Sequence, residues 1–542
     1  MVKPVAVTDE APVTRFLAAA LAALLALPAV AVQPAEGDRL AEDQSFTFWL
    51  SDAVGVLDPA QTSDPEGMDL LRQLFEGLMT EDATGAMIPG MAKRHEVSED
   101  GLTHSFQLRE ARWSNGDPVT ADDFVAAWRR VVDPKTGSAH ARYLALMQIE
   151  NAAPIIAGEI PAEQLGLTAL DARRLQVTLT RPVAHFAAML SHPATFPIPP
   201  ASTGDDGGIQ PGKLVGNGAF TLQAHDPGAS ITLTKNPAYW DADNVVMETL
   251  RGITEIDGQA ALTRFRAGEL DRVPIPVGEY PQLHEDFPDQ ATVLPIPCTY
   301  AYVFNLSDKG PEALKNPALR RALSLGLERD LMVSNVLQGG QRPAQGWTHW
   351  AIAGLDAPEG GPAALDQDAR TALARELLAG AGYGPDNPLQ LVLQYNGDAL
   401  HRLLAQAARQ YWKPLGVEVS LNNLDWTTHA DRMHRQDFEI ARYGWCADYN
   451  EPSAFLDWFR SDGENSGGWS NDEYDHLLDQ ARLADDPAPL YRQAEEILAA
   501  EAPAAFVYHY ATTEMINPAI RGLPRGNAMG RWYGKDLYRL AP

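Results

Sequence analysis

Cysteine is nearly absent: the 542 residues contain two, Cys298 and Cys446. That excludes a cysteine-dense disulfide scaffold, a C-x-x-C redox pair and a four-thiolate zinc site. Positive charge is also scarce, with 43 Lys and Arg against 72 Asp and Glu and a formal net charge of -29. Such a surface repels phosphate backbones and anionic headgroups, so nucleic acid is not an expected partner, and the acidity reads first as a solubility feature. The usual catalytic signatures are missing: there is no G-x-S-x-G and no H-E-x-x-H. GGIQPGKL, from Gly207, has the glycine and lysine spacing of a phosphate loop. Leu214, however, stands where a magnesium-binding Ser or Thr belongs, and Pro211 removes an N–H from the cradle. His429 and His434 are five apart, on different helix faces, so no metal pair is expected. With 72 acidic residues, paired carboxylates arise by chance and remain open. These absences lower the enzyme reading and imply no cofactor and no metal.

A chain of this length exceeds the roughly 250 to 300 residues at which single cores stop growing, so two or three domains are expected. Hydrophobic residues make up 45% and charged residues 21%, close to globular averages. The one long apolar run follows Lys3 and Arg15: FLAAALAALLALPAVAVQPAEG, ending in the small-residue pattern Ala29-Val30-Ala31. Residues 1–31 read as a cleaved signal peptide, with an uncleaved anchor as the alternative. Pro28 and the polar QPAEGDRLAEDQ argue against a stable span, which needs about 20 apolar residues. Export places the mature chain in an oxidising compartment, where Cys298 and Cys446 can pair. As a disulfide they would close a loop of about 150 residues and contribute up to about 5 kcal/mol. Two buried free thiols are the alternative.

Along the chain, FTFWLSDAVGVLDPAQ reads as a strand and then a turn at Asp58-Pro59, and MDLLRQLFEGLM has helical apolar spacing. In HSFQLREARWSNGDPVTADDFVAAWRRVVDP, Asn115-Gly116 marks a turn. Thr120 with Asp123 forms a capping box there, and Pro134 stops the helix. RRLQVTLTRPV and GAFTLQAHDPGASITLTKNPAYW are strand-like. Helix signals return at NPALRRALSLGLERDLMVSNVL, capped by Asn316 with Pro317 at the first helical position, and at RTALARELLAGAGY. LQLVLQYN is a strand, ALHRLLAQAARQYWKPL a helix and GVEVSL a strand. SNDEYDHLLDQARL opens with a second capping box, Ser470 and Glu473, and PLYRQAEEILAAEAPAAFVYHY runs helix into strand. Alternation through both halves predicts an α/β architecture, with hinges where composition shifts near 200 and 298.

REARWSNGDPVTADDFVAAWRRVVDP, VGNGAFTL with KNPAYW, NPALRRALSLGLERD, and RYGWCADYNEPSAFL with LYRQAEEIL follow one another in register. From about Leu40 to the C-terminus the chain resembles the periplasmic oligopeptide-binding proteins, the solute receptors of peptide ABC importers (bacterial extracellular solute-binding protein family 5). The resemblance implies a class II periplasmic-binding fold in which two lobes joined by a hinge close on a peptide, plus an extra domain. Lobe I would be 40–75, 200–297 and 512–542, the extra domain 76–199, and lobe II 298–511. It implies a periplasmic monomer that binds peptides of about 2–5 residues and delivers them to an inner-membrane ABC permease. Backbone pairing supplies affinity in such receptors without side-chain selectivity.

The same resemblance assigns candidate roles. Asp448, in the W-C-A-D-Y motif, would pair with the ligand α-ammonium, and a Cys298–Cys446 disulfide would hold its loop. Arg442 and His401 would meet the ligand carboxylate, while Trp445, Trp426 and His192 would line pockets, with Cys446 beside them. From the residues alone, Arg442 is a surface charge, Trp426 core, and His401 a core histidine on an apolar helix. The departures bear on specificity. Ser63 replaces a glutamate of the best-known relatives, His140 replaces a tyrosine, and Leu337 replaces a lysine anchor whose part Arg342 or Arg435 could take. A dedicated receptor for murein tripeptide, nickel chelate or haem on the same scaffold is the alternative function, and a secreted hydrolase the third.

Overall fold

The computed structural model describes residues 34–542 except 200, 201, 204–208, 210, 211, 256, 356–363 and 485. The signal-peptide reading and half of GGIQPGKL lie outside the described residues.

An eleven-stranded mixed sheet runs through the molecule. Its order is Val417–Leu424, Leu389–Asn396, Ile440–Cys446, Ala291–Phe304, Ala504–Ile516, Arg272–Pro274, Ser45–Leu50, Thr249–Thr254, Ser230–Lys235 and Phe220–Asp226, with Arg342–Pro343 added beside Ala504–Ile516. Two long antiparallel strands, Ala291–Phe304 and Ala504–Ile516, belong to both halves. On one side of a break Ala291–Pro295 pairs with Met515–Ala511, and on the other Thr299–Val303 pairs with His509–Ala504. The ladder loses register between Pro295 and Thr299, where Pro295 and Pro297 offer no N–H to bond. A separate antiparallel sheet, Ala92–Val97, Thr103–Leu108, Arg174–Thr178 and Leu167–Asp171, belongs to the segment between residues 76 and 199.

Local sequence explains the elements that frame the site. Leu389–Asn396 and Val417–Leu424 lie parallel, and the helices Ala399–Trp412 and Trp426–His434 follow them at the same end of the sheet. Asp398 caps the first helix by accepting from the backbone N–H of Leu400 at 2.7 Å, and Asp425 caps the second by accepting from Thr428 at 3.0 Å. Leu404, Ala405, Ala408 and Trp412 form the buried stripe of Ala399–Trp412, which leaves His401 in its first turn. Carboxyl ends of parallel strands with helix starts above them are where open α/β sheets receive ligands.

Two local expectations need correction. The helical spacing of MDLLRQLFEGLM outruns the helix, which is Pro65–Leu74. Phe75 is extended because Glu76 is drawn into a buried contact, its carboxylate accepting from Tyr239 Oη and from Trp240 Nε1, the latter at 2.8 Å. The helix Asp472–Ala481 is capped by Asn471, not Ser470. Asn471 accepts from Tyr474 N at 3.0 Å and is itself fixed by donating to Glu501 at 2.8 Å. By contrast, Asp123 accepts from the Thr120 N–H at 2.8 Å as the first capping box requires, and Asn316 accepts from Ala318 N at 3.0 Å.

Candidate functional site

Asp448 follows the strand Ile440–Cys446, and three restraints hold its loop. Cys446 is joined to Cys298 (S–S 2.05 Å), the Ala447 N–H donates to Pro297 O at 2.8 Å, and Arg531 donates to the carbonyl of Asp448 at 2.6 Å. Arg531 is almost fully buried, in an ion pair with the equally buried Glu81, and it also donates to Ser191 Oγ at 2.7 Å. The Asp448 side chain itself is solvent-accessible and receives no hydrogen bond or ion pair among the described residues. Desolvation nevertheless raises its pKa, opposed by the charges of Arg531 and His140, while Glu464 raises it further. Accessibility and desolvation coexist where a carboxyl looks into a walled cleft rather than into bulk water.

His140 and Tyr143 interact electrostatically with Asp448, and His192 makes ring contacts with both. His192 is 5% exposed, accepts from Ala194 N through Nδ1 at 3.1 Å, and stacks on Tyr143 with ring centroids 4.3 Å apart. Burial pushes its imidazole well below the ordinary value, with His140 and two arginines adding to the shift. His140 donates through Nε2 to Thr62 O at 2.7 Å. Ser63 is exposed beside Thr62. The loop carrying Thr62 and Ser63 is pinned by Asp58, whose buried carboxylate accepts from Arg130 Nη1 at 2.8 Å.

Arg442 occupies a second locus. Nη1 donates to Asn396 Oδ1 and Nη2 to Tyr510 Oη, each at 3.3 Å, and the guanidinium stands 5.1 Å from the Tyr300 ring centre. No carboxylate pairs with it among the described residues. In a chain with 72 acidic side chains, a half-buried cation left without one is placed to take an anion from outside. His401 lies beside it, 5.6 Å from Tyr300 between ring centres, and its Nδ1 is buried without a partner among the described residues. Desolvation and the Arg442 charge lower His401 to about 4, so it is neutral at pH 7. His429 supports the Arg442 main chain, donating through Nε2 to its carbonyl at 3.0 Å.

The remaining candidates are spread around these two loci. Trp445 donates through Nε1 to Ala454 O at 2.6 Å and packs on the core, whereas Trp426 is 60% exposed, against the core reading from its residues alone. Leu337 is 3% exposed inside the cluster around Tyr302 and Tyr508. Arg435 is in an ion pair with Asp431, and Arg342 stacks on Trp350 at 3.7 Å. Arg531, Asn396, Tyr300, Tyr510 and Glu81 were not predicted. Their partners lie tens to hundreds of positions away, and only the spacing of the folded sheet joins them.

Residues 86–467 match the family of bacterial extracellular solute-binding proteins, family 5, middle region. The chain is 36% identical to the probable deoxycholate-binding periplasmic protein YgiS of Escherichia coli, over 97% of this chain and 99% of that one. It is also 36% identical to the periplasmic oligopeptide-binding protein OppA of Salmonella typhimurium, over 95% and 96% respectively. Among solved structures, the unliganded open form of the murein tripeptide binding protein MppA superposes with a TM-score of 0.84 at 35% identity, covering 94% of this chain and 99% of that one. The chain belongs to the family 5 bacterial extracellular solute-binding proteins.

Proposed function

We propose that this protein is a periplasmic receptor for short peptides that passes them to an inner-membrane ABC permease, and that it is not an enzyme. One observation carries the reading: Asp448 and Arg442, of opposite charge and six residues apart, each lack an ionic partner among the described residues. An extended peptide carries complementary charges at its ends. Six residues of extended chain span at most about 20 Å, the length of roughly five or six ligand residues, and inward-reaching side chains shorten that. The expected range is therefore about 2–5 residues. Asp448 would take the ammonium, Arg442 with His401 the carboxylate, and Trp445, Trp426, His192, His140, Cys446 and Ser63 the surroundings. With the boundaries expected above for lobe I, the extra domain and lobe II, the cleft would lie between the lobes, and a monomer would suffice for this role.

Calorimetric titration with unrelated tripeptides, after unfolding and refolding to strip bound ligand, tests the proposal. Binding of several at nanomolar to micromolar Kd supports it; silence toward all refutes it. The likeness to the open form of MppA favours one second reading, a receptor dedicated to a murein-type peptide, in which that peptide alone would bind. Appearance of new amines during incubation would overturn the non-enzymatic assignment.

A further inference from the structure

Beneath the helix Trp426–His434 lie polar groups that the two charged loci do not use. Gln394 is 2% exposed, and neither atom of its amide has a partner among the described residues. His429 is 1% exposed. Because its Nε2–H donates to Arg442 O, Nδ1 is an acceptor, and it too is buried without a partner.

Strand register brings the two together. Gln394 aligns with Ala441 on one neighbouring strand and with Asn422 on the other, and residues aligned across a ladder share a face of the sheet. Ala441 packs in one cluster with Met433 of that helix and with Phe438 just after it. Gln394 therefore lies on the face that the helix covers, where His429 reaches the Arg442 carbonyl. Asn422 is half-buried at one side, and the Trp426 ring, 6.1 Å from that of His429, stands at the start of the helix. Burying a complete amide and a ring nitrogen without partners is unfavourable unless another group supplies the missing bonds.

We propose that Gln394, His429 and Asn422 form a slot for a carboxamide side chain of the bound peptide, opened when the Trp426 ring swings aside. This rests on the peptide reading above. A primary carboxamide meets the slot reciprocally: its NH2 donates to His429 Nδ1 and Gln394 Oε1, and its oxygen accepts from Gln394 Nε2. A carboxylate has no donor for His429. An ammonium has no acceptor for Gln394 Nε2, and an alkyl chain leaves every group unmet. His429 is anchored on the main chain of Arg442, so the slot serves a residue near the ligand's carboxyl end.

The test is calorimetry of the full protein with trialanine and its derivatives carrying Gln, Glu, Lys or norleucine at each position in turn. At one position near the carboxyl end, Gln should bind about tenfold tighter than norleucine and than Glu, a ratio equivalent to about 1.4 kcal/mol. Gln394→Leu should bring these ratios to within about threefold while leaving the preference for a free carboxylate intact, and His429→Phe should flatten them too. Equal affinities for the Gln and norleucine peptides at every position of the unaltered protein would overturn the slot, with no variant needed. Ratios that survive Gln394→Leu would do the same. Silence toward the whole panel would instead overturn the peptide reading, and the slot with it.

Discussion

Arg531 donates to the main-chain carbonyl of Asp448 at 2.6 Å while paired with the buried Glu81. An acid that would capture a ligand is thus positioned through its backbone by a residue 83 places away, and its carboxylate is left free. The arrangement separates holding from binding, and the two can be perturbed independently.

Asp448→Asn keeps the shape and removes the charge. Affinity for peptides with a free N-terminus should fall by at least about 2 kcal/mol, the scale for losing one partner of a desolvated charge pair. N-acetylated peptides should be unaffected. Calorimetry on both kinds of ligand checks this, and an equal loss for both would remove the ammonium role.

Arg442→Met should weaken free-acid peptides by about 2 kcal/mol and the matching C-terminal amides by much less. The ratio between acid and amide is the readout, because a purely structural loss lowers both together.

The raised pKa of Asp448 gives the pH dependence a sign. In the unliganded fold its stabilising contribution is present below the ordinary 3.8 and is lost as pH rises through the raised value. An ammonium ligand binds the ionised form, so affinity should decline as pH drops through that raised value toward 3.8. N-acetylated peptides should show no such decline. His401, lowered to about 4, is neutral above that pH.

Arg531→Met leaves Glu81 as an uncompensated buried charge. Loss of about 3 to 5 kcal/mol in unfolding free energy is expected, measured by urea denaturation. Replacing both cysteines by alanine should cost about 2 to 5 kcal/mol by the same measurement. Peptide affinity should fall in both variants because both free the Asp448 loop.

Much of this was legible in the chain because the signals were local. Alternating apolar residues give the strand SFTFWL, with Phe46, Phe48 and Leu50 inward, and the Asn316-Pro317 start of a helix is fixed by its own side chain. Export and the presence of only two cysteines pointed to the Cys298–Cys446 pairing, and the resemblance drew attention to Asp448 and Arg442. What could not be read were cooperative contacts between distant segments. The Asn396 and Tyr510 contacts to Arg442 come from two other strands, and Arg531 sits near the C-terminus in a stretch without periodicity. Ser470 and Asn471 are equally good caps by type, and only the bond from Asn471 to Glu501 decides between them. Gln394 occupies a strand position that reads as ordinary alternation, so its unmet amide is visible only from its surroundings.

The interrupted ladder between Pro295 and Thr299 bears on the energetics of motion. Flexing a continuous double strand strains a row of bonds, but here two prolines have already removed donors at the crossing. A swing of the two halves about this crossing would therefore strain few bonds of the ladder. Grip on the guest, rather than release of a spring, would set how often the receptor is found shut.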